Sequence, residues 1–71
     1  MSTPHGEAAH AQLAAARVYR VVVADDAAGI RALMRTLLSL EPDFEVVGQA
    51  SDGAEAVSVV SSVRPDLIVI D

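Results

Sequence analysis

A chain of 71 residues makes one small domain at most, and at this size folding buries only about 60% of the unfolded surface. Its hydrophobic fraction of 52% argues for a packed core, while a formal net charge of −5, with five Arg and no Lys, argues against the basic face that nucleic-acid binding requires. Cysteine is absent, which excludes disulfides and thiolate metal sites, and no apolar run approaches the ~18 residues of a membrane span.

The first segment, MSTPHGEAAHAQLAAAR over residues 1–17, is dominated by Ala and reads as a flexible leader, either disordered or a frayed helix. It lacks the basic start and apolar centre of a signal peptide, so a cytoplasmic location is expected. His5 and His10 lie within it and read as solvated side chains, with no acceptor cluster nearby to make a metal site. From Val18 the pattern becomes regular. Val21, Val22 and Val23 form a continuous β-branched run, as in a strand covered on both faces. Ile30, Leu33, Met34, Leu37 and Leu38 then recur at helical spacing, which places Arg31 and Arg35 on the opposite, polar side. Pro42 and Asp43 supply a turn before a strand from Phe44 to about Val47.

A second helix follows in SDGAEAVSVVSSV. Asp52 is its expected N-cap and Glu55 completes a capping box, with Ala56, Val57, Val60 and Val63 facing inward. Pro65 breaks that helix, and Leu67 to Ile70 form a third apolar strand. The order β-α-β-α-β predicts an α/β fold: a flavodoxin-like, doubly wound parallel sheet with right-handed crossovers and strand order 2-1-3.

That topology carries the chemistry. Asp25 and Asp26 follow strand 1 and Asp71 follows strand 3, so adjacent parallel strands about 4.8 Å apart bring three carboxylates to one edge. Each Asp taken singly also reads as a cap or turn residue. Three together repel unless a cation or protons intervene, and hard oxygens in an incomplete shell suit Mg²⁺, which pairs naturally with a phosphoryl group. An Asp nucleophile forming an acyl phosphate is established chemistry for this side chain.

The stretches VVVADD (21–26), IRALMRTLL (30–38), EVVGQASDGAEAV (45–57) and RPDLIVID (64–71) resemble the receiver domain of two-component response regulators. VVGQASDGAEAV is particularly like receivers attached to helix-turn-helix outputs or belonging to chemotaxis methylesterases. The resemblance spans residues 18–71, taken as the N-terminal part of a receiver domain. It implies Asp71 as phosphoacceptor, fed by a sensor histidine kinase, with Mg²⁺ held by Asp25, Asp26 and Asp71. Of these, Asp26 would bind directly and Asp25 directly or through water. Residues 27–29, AAG, depart from the larger side chains often found there.

A complete receiver also continues past the phosphoacceptor with two strands and three helices. These supply a metal-binding backbone carbonyl, a Ser or Thr and a Lys, none of which follows Asp71 in this sequence. Phosphorelay function is therefore expected to be impaired in this form, with any output domain missing and no enzymatic activity of its own. Strand 3 is expected at a sheet edge, where its unpaired flank invites self-association and an unstable or oligomeric chain. Two other readings compete: a non-phosphorylated pseudo-receiver or interaction module pairing through that edge, and a nucleotide-binding enzyme fragment. Only Gly29 follows strand 1, with no phosphate-binding glycine motif, so the last has little support.

Overall fold

A computed structural model describes residues 17–70, so the expected leader lies outside the described residues except for Arg17, as does Asp71. Five elements alternate: β1 (Tyr19–Ala24), α1 (Ala28–Ser39), β2 (Phe44–Ala50), α2 (Gly53–Val63) and β3 (Leu67–Ile70). All strand pairs are parallel and the sheet order is β2-β1-β3, as the alternation of elements required. No helix among the described residues is long and apolar enough to cross a membrane.

The core is β1. Val21, Val22, Val23 and Ala24 are buried, flanked by a strand on each side. This is the environment that a β-branched run without polar alternation needs. β3 is different: its four residues are all exposed, and among the described residues it pairs with β1 alone. Ile70 is the most open of them, at 68%.

β2 runs three residues beyond its expected end, and a bulge explains how. Val21 pairs with Val46, but Val22 pairs with Gly48, leaving Val47 as the extra residue. The slip puts Val46 on one face of the sheet and Gly48 on the other. On the Gly48 face α2 comes so near that a Cβ built at Gly48 would lie 2.7 Å from Val59 Cγ1, with Val22 Cγ2 at 3.6 Å and Val63 Cγ2 at 3.9 Å. The close approach requires glycine for want of space, since its φ is not positive.

Two helical faces differ from their expected composition. In α2 the half-buried positions are Ala56, Val59, Val60 and Val63, while Val57 is 68% exposed. Val59 replaces Val57 because residues spaced by three and four around Val59 and Val63 are those that meet Gly48. In α1 only Arg31, Met34 and Leu38 are half-buried, whereas Ile30, Leu33 and Leu37 remain exposed. The apolar stripe is wider than the three-stranded sheet beneath it can cover, and Arg31 is on the covered side rather than the polar one.

At the N-terminal ends of the strands, a polar latch ties β3 to β1. Asp66 donates its backbone N–H to Arg20 O at 2.8 Å, and its Oδ2 accepts the Arg20 N–H at 2.9 Å. Arg17 adds an exposed ion pair to Asp66 at 3.3 Å and stacks its guanidinium 4.7 Å above the Tyr19 ring. The Arg20 backbone bond, opposed by desolvation and helped by Arg17, lowers the Asp66 carboxyl below its ordinary 3.8. Arg20 Nη1 also reaches Arg64 O at 3.0 Å, across the turn where Arg64 ends α2 in a left-handed conformation at φ 51°.

Candidate functional site

The opposite, C-terminal edge of the sheet carries the acids. β1 ends at Ala24, and its direction delivers Asp25 and Asp26 to the loop before α1. The Asp25 N–H still bonds Ala50 O at 3.1 Å, so the sheet holds the loop's first residue in place. Ala27, the N-cap of α1, has no side-chain oxygen to cap with. Instead Asp25 Oδ1 accepts the Ala27 N–H at 2.8 Å, turning the chain with a carboxylate. Asp25 is half-buried, while Asp26 is exposed.

Both acids line an open cavity of about 330 Å³, whose walls also include Ala24, Ser51, Asp52 and Ile70. A larger groove of about 600 Å³ lies between α1 and the outer edge of β2, lined by Arg35, Phe44 and Glu45 among others. The smaller cavity is the better candidate, because it lies at the C-terminal ends of β1 and β3, where the strand order reverses: one crossover leads from β1 to β2 and the next returns from β2 past β1 to β3. It also gathers the carboxylates.

Asp71, the third acid of the expected set, lies outside the described residues. It follows Ile70, which pairs with Ala24 in the β1–β3 register. Among the described residues no group of three His, Cys, Asp or Glu side chains is placed to hold a metal ion. Asp52 lines the cavity, but its Oδ1 accepts the Glu55 N–H at 2.8 Å, so it serves as the N-cap the sequence indicated. The capping box closes one residue early: Glu55 Oε1 accepts the N–H of Ser51, at 2.6 Å, rather than that of Asp52.

The donor set fits a hard cation. Asp25 and Asp26 offer carboxylate oxygens, no sulfur or imidazole lines the cavity among the described residues, and the space leaves room for water, which Mg²⁺ retains. One participant escaped sequence reasoning. Arg31 Nη1 donates to the Asp25 carbonyl oxygen at 2.8 Å from α1, across the acidic loop. A helical pattern that assigns residues to polar and apolar sides cannot foresee a polar side chain reaching along the helix to its own N-terminal loop.

Sheet order, crossovers and acidic edge together define a doubly wound α/β domain with its site at the C-terminal strand ends. The chain belongs to the response regulator receiver domain family, whose model matches residues 21–71. It is thus a receiver domain of two-component signalling, as the resemblance implied.

It is 52% identical over 52 residues to protein-glutamate methylesterase/protein-glutamine glutaminase 3 of Anaeromyxobacter dehalogenans, covering 73% of this chain and 15% of that protein. It is 44% identical over 55 residues to the protein-glutamate methylesterase/protein-glutamine glutaminase of Thermotoga maritima, covering 78% of this chain and 16% of that one. Among solved structures, the response regulator domain of Thermotoga maritima CheB matches with a TM-score of 0.72 and 44% identity, over 73% of this chain and 39% of that chain. The chain therefore spans about 15% of the length of the curated relatives it matches. These relatives correct one expectation. Absence of enzymatic activity was expected, yet the proteins matched here are named as enzymes, the similarity falling within their receiver portion.

Proposed function

We propose that this chain is the phosphoryl-accepting part of a receiver, in which Asp71 takes a phosphoryl group from a sensor histidine kinase beside Mg²⁺ held by Asp25, Asp26 and Asp71. The observation that carries this reading is the β1–β3 register. Ala24 and Ile70 are paired, so the acid pair and Asp71 each follow one member of the same rung. Mg²⁺ held by these carboxylates would supply neutralisation of charge on the phosphoryl oxygens. Asp71 contributes the attacking carboxylate oxygen, forming an acyl phosphate as the donor's bond to phosphorus breaks. Asp26 supplies exposed ligand oxygens, and Asp25 shares its carboxylate between the loop turn and the site.

Similarity to the receiver portion of methylesterases supports a C-terminal output domain of that kind as the element regulated. A second reading, a module that pairs with another chain through β3, is favoured by one observation: Leu67, Ile68, Val69 and Ile70 are all exposed on a strand with one described neighbour.

Incubation with acetyl phosphate and Mg²⁺, followed by intact mass, tests the first reading. A phosphoryl adduct lost in Asp71→Asn and on chelation of the metal supports it. No adduct, together with concentration-dependent dimerisation in sedimentation, supports the second instead.

A further inference from the structure

The acidic loop is short of ordinary anchors. Its cap position is Ala27, and Ala28 and Gly29 follow, so none of the three can fasten the loop by a side-chain hydrogen bond. Arg31 makes up the deficit from within α1. Its backbone N–H bonds Ala27 O at 3.1 Å, and its side-chain Nη1 bonds Asp25 O at 2.8 Å. The first is the ordinary bond of the opening helical turn; the second belongs to the Arg31 side chain and reaches back past Asp26 to the start of the loop.

The chemistry of the contact is as informative as its position. The guanidinium bonds a carbonyl oxygen, not a carboxylate, although two carboxylates stand in the same loop. Among the described residues the one ion pair is Arg17 with Asp66, at the far edge of the sheet. Arg31 is also half-buried, which limits its rotamers and holds the guanidinium beside the loop. Its positive charge favours a loop bearing two adjacent negative charges, yet it occupies no carboxylate oxygen of either acid. A Lys here would retain the charge and an N–H donor for the single carbonyl oxygen but lose the planar fork.

We propose that Arg31 is a positioning residue for the acid pair. It fixes the Asp25–Ala27 backbone through the Asp25 carbonyl, and so holds Asp26 at the wall of the cavity while leaving its carboxylate available to a cation. The metal-binding consequence rests on the reading of Asp25 and Asp26 as Mg²⁺ ligands; the clamp itself does not.

The test uses the full chain with Arg31→Met and Arg31→Lys, read by amide exchange in ¹⁵N-resolved spectra and by titration with magnesium chloride. In Arg31→Met, exchange of the Ala27 N–H, which bonds the Asp25 carboxylate, accelerates about tenfold. This corresponds to the loss of one charge-assisted hydrogen bond. Exchange at Val22 and Val23 stays at the parental rate, which separates loop release from unfolding. Mg²⁺ affinity falls by about the same factor, and Arg31→Lys recovers most of both effects. Unchanged Ala27 exchange in Arg31→Met overturns the clamp. Equal acceleration at Val22 and Val23 also overturns it, since Arg31 would then act on global stability. If the parent and Asp26→Asn bind Mg²⁺ equally weakly, the metal reading fails, and the exchange rates still decide the clamp.

Discussion

Replacing Gly48 with Ala is a test of how tightly α2 is seated on the sheet. The added Cβ would lie 2.7 Å from Val59 Cγ1, about 0.7 Å inside the 3.4 Å at which ordinary contact begins. Val59 cannot easily turn away, because a β-branched side chain in a helix has one strongly preferred χ1. Val22 and Val63 occupy the remaining space at 3.6 and 3.9 Å. Overpacking of this kind costs about 1–3 kcal/mol. Against that, Ala restricts the unfolded chain and returns about 0.4–1 kcal/mol.

The expected net loss is about 1–2 kcal/mol, or about 4–16 °C in melting temperature for a domain of this size. Val59→Ala alone should cost about 1–2 kcal/mol through lost packing. The double variant should lose clearly less than the sum, with about 1 kcal/mol of favourable coupling, because the offending methyl has gone. Urea unfolding followed by far-ultraviolet circular dichroism measures all four corners of the cycle. A Gly48→Ala loss below about 0.5 kcal/mol, or strictly additive effects, would refute the close approach.

Asp66 predicts an acid-sensitive latch. Its folded-state pKa is lowered, chiefly by the Arg20 backbone N–H, so its contribution to stability is present above the unfolded value near 3.8. That contribution is lost as pH falls through the lower folded value. The stability difference between the parent and Asp66→Asn should therefore be seen at pH 7 and vanish in strong acid, as followed by denaturant titrations at a series of pH values. Arg64 holds a left-handed conformation at φ 51°, which costs an L-residue about 1 kcal/mol. Arg64→Gly should raise stability by about 0.5–1 kcal/mol, while Arg64→Val should lower it, both read as midpoint shifts in urea. The Arg20 bond uses the backbone oxygen of residue 64, so it survives either change.

Much of this fold was legible because its signals are local. The run Val21–Val23 announces a covered strand, helical spacing announces α1, and Asp52 announces the start of α2. The sheet order then follows from connection rules and not from any single residue. What could not be read depends on contacts between distant segments. The bulge at Val47 arises from pairing with β1 and reverses which β2 residues face α2. Hence Gly48 and not another residue meets Val59, and Val57 turns outward. The acid pair was legible as chemistry, since two carboxylates at a strand end stand out. Arg31 was not, because its role depends on a bond to a backbone carbonyl six positions earlier, and a carbonyl has no letter in the sequence.

The stacking of Arg17 on Tyr19 has a practical consequence. The chain contains one Tyr, one Phe and no Trp, so Tyr19 dominates its intrinsic ultraviolet emission. That ring lies at the first residue of β1, 6.1 Å from Phe44 and at the opposite end of the strand from Asp25. Six residues of strand separate it from the acids by about 20 Å. Tyr19 fluorescence thus follows whether β1 and β2 are assembled and is blind to a cation arriving at the other edge. Folding and ligand binding can be observed in the same cuvette through independent signals: tyrosine light for the fold, and an engineered Trp near the cavity for the site.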